Sequence, residues 1–591
     1  MLSCAEEQAK EGDLIVAIDF GTSRSAVAYT IFEGEDELVN VLKVSGASSY
    51  VQGDFKTPTS ALIEDGEVRA FGFDAERRFV EEERESSAGW MLFKWFKMNL
   101  HNPGERDPLV ECFGGGENMR LSGILEKCLK YVKDDVLAQL KLSGVIHTED
   151  AHKLFWVLTV PAIWSDHARY VMRMAAFKAG LIPSEQSCHL FLALEPECAA
   201  IASQSDPIQK RLWALGSKFL IADCGGGTLD ITSHEVVQTS PLKLRELAQP
   251  VGGPFGATQV DEKFLEFFED LVGMENFERL RREGASEYLD LRKEWEERKV
   301  MFRFDRSNSR WTRVPVLNAV AAMGIEAEFG SMVDAWNERN PNRVVEKLSR
   351  RIKLSLSFDL MASFFEDVVS SIVDQIGDAV HASPEIDCVV MAGGFSRCAL
   401  LQAKVRERFA PTSVDVIVAN NPDLLIVKGA AMFGARPSDL IETRKSRFTF
   451  GISAIREYNS SDVELRRFED KSFLCNSGKR WLDMFSVHVR AGDNIDETDG
   501  NRRQCYGPLY RHQTSCTVPI LITRERYVSH PQEEGVRELA SISIPFNKAL
   551  PFEDRTIWVE FLFGGTEVRC LIFDAKGENQ IGSAPIRFNF F

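Results

Sequence analysis

The chain has 591 residues, 44% of them hydrophobic and 27% charged, so it is long enough for several domains that each bury a full core. Its net charge of −18, from 70 basic and 88 acidic residues, argues against a protein whose main partner is the phosphate backbone of a nucleic acid. No apolar run reaches the roughly 18 residues of a membrane span; the longest, residues 154–164, is too short and contains a proline.

Residues 1–12 are acidic and lack the apolar segment of a signal peptide, so we interpret them as an N-terminal tail and expect a cytoplasmic or nuclear protein. The twelve cysteines are scattered singly, without a CxxC pair. This distribution favours reduced, mostly buried thiols over a zinc site or a disulfide framework.

From residue 13 to 435, short apolar runs alternate with helical patterns, which is typical of an α/β domain. One helix is expected after Trp164, capped by Ser165 or Asp166 and stopped by Gly180. Residues 436–446 contain a proline and a tight group of charges and are interpreted as a linker. Residues 447–591 are rich in strand patterns, with Gly564 and a second glycine where a hairpin turn would fall, and no long amphipathic helix follows.

One sequence pattern occurs twice. In IVAIDFGTSRSAVAY (residues 15–29) and FLIADCGGGTLDITSH (residues 219–234), an apolar strand ends in an aspartate, followed by glycine and hydroxyl residues and a second strand. A third glycine element, VVMAGGFSRCALL (residues 389–401), has Ser396 where it could cap a helix. The small and polar residues of these elements are Asp19, Gly21, Thr22, Ser23, Asp223, Gly225, Gly226, Gly227, Thr228, Gly393 and Gly394.

These residue types suit phosphate binding. Glycines let backbone amides approach phosphate oxygens closely, and hydroxyl groups donate hydrogen bonds to the same oxygens. An aspartate at each strand end can hold a hydrated magnesium ion. Two such hairpins facing each other would clamp the β- and γ-phosphates, and the third element would face an adenosine. The chain has neither a Walker A loop nor a Rossmann GxGxxG motif.

The chain resembles the 70-kilodalton heat-shock protein (chaperone) family of the actin-like ATPase superfamily. The resemblance rests on LTVPAIWSDHAR (158–169), LALEPECAAIA (192–202), MAGGFSR (391–397) and NNPDLLIVKGAAMFGA (420–435). The FKM motif, the strand-rich C-terminal region and the FG-T-E segment at 563–567 are most similar to the divergent heat shock 70 kDa protein 12-like subfamily. The resemblance implies an α/β, two-lobed actin-like ATPase fold (a duplicated ribonuclease H-like fold) over residues 13–435. A β-rich domain that binds substrates or partners would follow, without an evident helical lid.

The resemblance also implies roles for individual residues. Glu195 would lie beside the attacking water, and Lys97 is favoured over Lys94 as the lysine of the cleft, Lys94 being interpreted as a solvated neighbour. Asp19 and Asp223 would hold Mg²⁺ through water and, with Thr228, would complete the catalytic set. The residues implied to contact ATP or ADP are Gly21, Thr22, Ser23, Gly225, Gly226, Gly227, Asp230, Gly252, Gly253, Glu296, Lys299, Gly393, Gly394, Phe395, Arg397 and Asp423.

Several positions depart from the family pattern. Val300 stands where the family has an arginine that stacks on the base, and Phe395 stands where it usually has a serine. Gly252 and its neighbouring glycine could instead form a flexible turn before a helix. Arg24 could point at phosphate, although its spacing favours solvent or an acidic neighbour.

The leading hypothesis is an ATP-binding heat-shock-70-like protein that slowly hydrolyses ATP and couples nucleotide state to client or partner binding. The alternative is a nucleotide-dependent adaptor or scaffold with little or no turnover. A sugar kinase and an actin-like filament former are weaker alternatives. The expected partners are protein clients or signalling proteins at the C-terminal domain, and co-chaperones, with neither nucleic acid nor a membrane span involved.

Overall fold

A computed structural model describes residues 9–33, 38–44, 55–83, 89–101, 107–146, 154–185, 187–204, 212–240, 242–304, 311–341, 343–348, 353–383, 385–436, 441–461, 465–474, 478–495, 503–564 and 567–585. The chain divides into two compact units. The first comprises residues 1–164, 171–232 and 250–436, and the second comprises residues 165–170, 233–249 and 437–591.

The strands, numbered in chain order, are β1 (Leu14–Phe20), β2 (Arg24–Ile31), β3 (Asn40–Leu42), β4 (Thr57–Pro58), β5 (Ser60–Glu64), β6 (Glu67–Phe71), β7 (Met91–Lys94), β8 (Leu109–Val110), β9 (Met119–Arg120), β10 (Leu154–Val160), β11 (Leu190–Leu194), β12 (Lys218–Cys224), β13 (Leu229–Thr239), β14 (Leu242–Gly253), β15 (Thr312–Pro315), β16 (Val345–Leu348), β17 (Lys353–Leu356), β18 (Cys388–Ala392), β19 (Asp415–Val418), β20 (Ile441–Lys445), β21 (Thr449–Glu457), β22 (Phe473–Leu474), β23 (Arg480–Val489), β24 (Asn494–Ile495), β25 (Gln504–Tyr506), β26 (Ser515–Thr523), β27 (Arg537–Pro545), β28 (Ile557–Gly564), β29 (Glu567–Phe573) and β30 (Gln580–Pro585).

The α-helices are α1 (Phe73–Glu83), α2 (Leu121–Leu142), α3 (Asp166–Lys178), α4 (Glu195–Ser203), α5 (Ala257–Val272), α6 (Met274–Glu283), α7 (Ala285–Met301), α8 (Leu317–Met323), α9 (Phe329–Arg339), α10 (Phe358–Ala382), α11 (Ala399–Phe409) and α12 (Pro422–Ala435). Short 3₁₀ helices cover Phe96–His101, Gly394–Arg397, Arg466–Lys471 and Phe552–Asp554. The helix predicted after Trp164 is α3, and the Ser165 hydroxyl accepts a hydrogen bond from the Ala168 N–H at 3.2 Å, so Ser165 caps it.

The first sheet of the first unit has the order β11-β10-β1-β2-β3, with β4 added to β2. Strand β1 pairs antiparallel with β2 and parallel with β10, which in turn pairs parallel with β11. Every residue of β1 is buried. A continuous apolar run of this kind forms a strand that is covered on both faces, and it therefore holds the aspartate near its end in a fixed position.

A second sheet repeats the arrangement. Its order begins β19-β18-β12-β13, and β12 pairs parallel with β18, which pairs parallel with β19. In both sheets, an Asp-bearing strand lies between its hairpin partner and a parallel strand. The α/β class predicted from the sequence is therefore confirmed for this part of the chain, whereas the division into two lobes stays a prediction.

Helix α12 packs against α4 and β1 through small residues. A Cβ on Gly429 would overlap the backbone carbonyl of Cys198 in α4, and a Cβ on Gly434 would overlap the side chain of Ile15 in β1. These glycines let the α12 backbone approach its neighbours closely. The segment resembling the end of the chaperone nucleotide-binding domain is thus built into the core of the first unit.

The described part of the second unit consists mainly of strands. One sheet has the order β22-β23-β21-β26-β27 and another β25-β28-β29-β30, and both supply residues to one apolar core that includes Phe450, Ile520 and Val559. Strand β20 pairs parallel with β14, so part of the predicted linker is a strand, whereas residues 437–440 lie outside the described residues. Strands β28 and β29 form the predicted hairpin. The second glycine of its turn, at position 565, lies outside the described residues.

The cysteines that the structure describes are free thiols, and most of them are buried, as the sequence predicted. In the same residues, no helix combines the length and apolarity that crossing a membrane would require.

Candidate functional site

The first loop follows β1. Both carboxylate oxygens of Asp19, at the end of this strand, accept hydrogen bonds: Oδ1 from the Thr159 hydroxyl at 3.0 Å and Oδ2 from the Lys56 ammonium at 2.7 Å. The Gly21 carbonyl accepts a hydrogen bond from the Thr59 hydroxyl at 2.7 Å. The loop is therefore held by three side chains from distant parts of the sequence.

The second loop follows β12 and is held by the N-terminus of α5. The Gly225 N–H donates to the carbonyl of Thr228 at 2.9 Å, which closes the turn. The Ala257 N–H donates to the Gly225 carbonyl at 3.2 Å, and the Thr258 N–H donates to the Gly226 carbonyl at 2.8 Å. The first amides of a helix lack intrahelical partners, and here two of them fix the loop.

The two loops come into contact. A Cβ on Gly226 would overlap the Ser23 hydroxyl, and a Cβ on Gly227 would overlap the Met98 sulfur and lie 2.9 Å from Cγ2 of Thr22. Ser23 Oγ is buried without a hydrogen-bond partner among the described residues. The structure thus brings together the hydroxyls of one hairpin and the glycines of the other, and the buried Ser23 donor has no partner in the part of the chain that the structure describes.

The second aspartate lies at the centre of an acidic group. Asp223 is buried, and a Cβ on Gly393 of the third glycine element would overlap its Oδ1. Burial raises the pKa of Asp223 well above its usual range, and the nearby charges of Glu195, Asp230 and Asp19 raise it further. Four carboxyl groups from three motifs therefore lie near enough to affect one another, as at many catalytic sites.

Glu195 and Lys97 form a buried ion pair. Glu195 begins α4, Lys97 lies in the first 3₁₀ helix, and their Oε1 and Nζ atoms are 3.2 Å apart. The Lys97 ammonium also lies 4.7 Å from the centre of the Trp164 ring. Burial raises the pKa of Glu195 to about 7, against the opposing effect of Lys97. Lys94 is not a solvated neighbour as predicted: it is largely buried and pairs with Glu76, because it lies opposite Ser60 of β5, whose hydroxyl also donates to Glu76.

Asp230 and the glycine pair support the second hairpin. The Ile163 N–H donates to Asp230 Oδ1 at 2.9 Å, which ties the Val-Pro-Ala segment to β13. Gly252 and Gly253 are the last two residues of β14 rather than a flexible turn, and a Cβ on Gly252 would overlap the Leu229 carbonyl. Gly252 has a φ of +154°, which few other residues adopt, so glycine is required here.

The residues predicted to bind adenosine already have protein partners. Glu296 forms an ion pair with Arg24 at 3.2 Å, as expected if Arg24 faces an acidic neighbour. The Lys299 ammonium donates to Asp261 Oδ1 at 2.6 Å and to the Ala257 carbonyl at 3.2 Å, at the start of α5. In this conformation Lys299 therefore fixes the helix that supports the second loop.

The third glycine element differs from its predicted form. Ser396 does not cap α11, because its hydroxyl donates back to the Ala392 carbonyl within the 3₁₀ turn. Phe395 is buried, and Arg397 pairs with Asp423 at 3.1 Å near the surface. The element therefore presents mainly glycine backbone to the site.

Sequence reasoning missed five residues at this site: Lys56, Thr159, Trp164, Asp261 and Gly256, on which a Cβ would overlap the Gly226 carbonyl. Trp164 and Thr159 lie inside the segment that resembles the chaperones, so its position offered a signal for them. Lys56 follows a stretch without a recognisable pattern, and its ion pair with Asp19 in the folded structure reveals it.

The donors suit one hydrated magnesium ion at the second aspartate. Asp223 Oδ1 is buried and has no hydrogen-bond partner among the described residues, and a carboxylate oxygen is the ligand that Mg²⁺ prefers. Those residues include no group of three or more His, Cys, Asp or Glu side chains that could hold a metal ion directly. Asp19 is less suited to hold a hydrated magnesium ion, because both of its carboxylate oxygens already accept hydrogen bonds.

Comparison with known proteins agrees with this geometry. The family model described as Hsp70 protein matches residues 91–438. Heat shock 70 kDa protein 12B of Homo sapiens is 25% identical over 643 residues, covering 96% of this chain and 90% of that protein. Heat shock 70 kDa protein 12A is 27% identical over 627 residues in both Homo sapiens and Mus musculus, with the same coverage. The predicted resemblance to this subfamily is confirmed.

Proposed function

The chain belongs to the Hsp70 protein family, and on this premise we propose that it binds ATP or ADP with Mg²⁺ and slowly hydrolyses ATP. Nucleotide binding is the part that the family relationship itself supports. Hydrolysis is supported chiefly by the buried Lys97–Glu195 pair beside the two converging hairpin loops.

In the proposed reaction, water attacks the γ-phosphorus, the bond to the bridging oxygen breaks, and ADP and phosphate form. Glu195 accepts the proton of the water. A carboxyl group with a pKa of about 7 suits a general base at neutral pH, because it is partly ionised and still basic. Lys97 holds Glu195 in place and supplies positive charge. Such catalysis depends mostly on positioning and electrostatic stabilisation.

The loops would bind the phosphates. Ser23 and Thr22 offer hydroxyl groups, and Gly226 and Gly227, which have no side chains of their own, offer backbone amides. When bound, Mg²⁺ would supply positive charge to the β- and γ-phosphate oxygens, with Asp223 holding it through water. The Ser23 side chain lies directly against Gly226, so the loops would have to separate at this point for a phosphate to lie between these two residues.

We also propose that nucleotide state controls the binding of a protein client or signalling partner by the strand-rich C-terminal region. The relationship to heat shock 70 kDa proteins 12A and 12B supports a protein partner, and it leaves the partner's identity open. If turnover is negligible, the same site would serve a nucleotide-dependent adaptor, since binding energy alone can shift a conformational equilibrium.

Two measurements test the proposal. Titration calorimetry with ATP and ADP in Mg²⁺ should show binding at one site per chain, and absence of any binding would refute the nucleotide proposal. Single-turnover hydrolysis should fall by about 10²–10⁴-fold in Glu195→Gln, while Glu67→Gln, a control at an exposed glutamate of β6, should match the wild type. Equal and negligible rates in all three proteins, with intact binding, would favour the adaptor.

A further inference from the structure

Lys56 forms a buried ion pair with the first aspartate of the site. Its Nζ lies 2.7 Å from Asp19 Oδ2, and the two side chains are only 14% and 3% exposed. The other Asp19 oxygen accepts a hydrogen bond from Thr159 at 3.0 Å. A charge-assisted pair of this length and burial is a strong interaction, unlike a solvent-exposed pair.

The fold holds Lys56 in this position. The next two residues form β4, in which Thr57 pairs with Ser25 of β2. The Thr59 N–H donates to the Ser23 carbonyl at 2.9 Å, and its hydroxyl donates to the Gly21 carbonyl at 2.7 Å. The segment that carries Lys56 is thus hydrogen-bonded directly to the first phosphate loop, and these bonds fix the position of the lysine beside Asp19.

The surrounding charges favour a cation at this point. Besides Asp19, the carboxylates of Asp223 and Asp423 attract the Lys56 ammonium. Two other lysines of this region, Lys94 and Lys97, have glutamate partners of their own, Glu76 and Glu195 respectively. Of these three lysines, Lys56 is the one paired with Asp19.

We propose that the Lys56 ammonium serves as the built-in cation of Asp19, so that the site binds its nucleotide with little dependence on a divalent ion at this carboxylate. The inference rests on the proposed nucleotide site. A divalent ion approaching Asp19 has to displace the ammonium or lie beside it, and either event costs electrostatic energy. Divalent binding is therefore left mainly to Asp223, and removal of the lysine charge should make Asp19 available.

The first test measures the metal alone on nucleotide-free protein. Mn²⁺ binding, followed by electron paramagnetic resonance, should be about tenfold or more tighter in Lys56→Gln than in wild type, because a neighbouring like charge is removed. Lys56→Arg, which keeps the charge, should bind Mn²⁺ as weakly as wild type. Lys94→Gln, the matched control, removes a buried lysine that pairs with Glu76 and should leave Mn²⁺ affinity unchanged. Equal affinities in wild type and Lys56→Gln would overturn the proposal.

The second test compares ADP binding to wild type and Lys56→Gln, each in Mg²⁺ and in EDTA. The ratio of the dissociation constant in EDTA to that in Mg²⁺ should be about tenfold or more larger in Lys56→Gln, because Asp19 then requires a divalent ion, whereas an ion held by Asp223 contributes equally in both proteins. Equal ratios in the two proteins would overturn the proposal, and Lys56→Met gives the same comparison if Lys56→Gln does not fold. If ADP fails to bind under either condition, the proposed function is wrong, and the Mn²⁺ titration still decides the role of Lys56.

Discussion

The Lys97→Met substitution tests the buried pair at the centre of the site. Methionine keeps an unbranched chain of similar length beside Trp164, with sulfur in place of one methylene group, and it lacks the ammonium group. At the observed Nζ–Oε1 distance of 3.2 Å, an effective dielectric constant near 20 gives a Coulomb attraction of about 5 kcal/mol. Part of this energy offsets the desolvation of both groups. Removing one partner of a buried pair typically costs about 3–5 kcal/mol, because the other charge is left uncompensated.

The loss of stability should depend on pH, since it arises from the ionised Glu195. Burial already raises the pKa of Glu195 from 4.5 to about 7, and without the opposing charge of Lys97 it should rise further. A carboxyl group with a folded-state pKa above its unfolded value is protonated in the folded protein at low pH, and it destabilises the fold progressively as the pH rises. Lys97→Met should therefore lower the free energy of unfolding most at pH 8.5 and much less at pH 5.5.

Urea unfolding of wild type, Lys97→Met, Glu195→Gln and the double variant at these two pH values measures the effect. The double variant should regain most of the stability lost in Lys97→Met, since it carries no buried charge at this point. Single-turnover hydrolysis should fall in all three variants. An equal loss of stability at both pH values, or no recovery in the double variant, would refute the electrostatic explanation.

Three further substitutions test other parts of the structure by urea unfolding. Burial raises the pKa of Glu246 from 4.5 to about 7, so Glu246→Gln should stabilise the protein by about 1–3 kcal/mol at pH 8.5 and hardly at pH 5; equal effects would contradict this. Gly429→Ala should destabilise it by about 1–3 kcal/mol, because the new methyl group meets a backbone carbonyl of α4, whereas the control Gly123→Ala, with open space around it, should change stability by less than about 1 kcal/mol. Ser165→Ala should cost about 1 kcal/mol through loss of the α3 cap, and an unchanged midpoint would argue against that cap.

Much of the candidate site could be predicted because the sequence patterns that form it are local. A buried strand, an aspartate and a turn of glycine or hydroxyl residues are adjacent in the chain, and the same order occurs after Ile15 and after Phe219. Steric and hydrogen-bonding properties alone make these residues suitable for a phosphate loop. The α/β class followed in the same way from alternating strand and helix patterns, which depend on burial along short segments.

The predictions for individual side chains failed where more than one partner was compatible with the local sequence. Lys94 and Lys97 are three residues apart in WMLFKWFKMNL, and the sequence offers no local reason why one pairs with Glu76 and the other with Glu195. Lys94 ends strand β7, whereas Lys97 lies in the 3₁₀ helix that begins at Phe96. Similarly, Ser396 precedes helix α11, but its hydroxyl donates a hydrogen bond to the carbonyl of Ala392, the last residue of β18.

The sequence by itself therefore determined the two hairpins that carry aspartate, glycine and hydroxyl residues, the glycine element that follows them and the strand-rich character of the C-terminal region. Tertiary structure decided which charges meet: Lys56 with Asp19 across 37 positions of sequence, and Arg24 with Glu296 across 272. The physical reason is that backbone conformation and burial pattern depend on neighbouring residues. The partner of a long charged side chain, in contrast, depends on which segments the folded sheets and helices bring within a few ångströms of it.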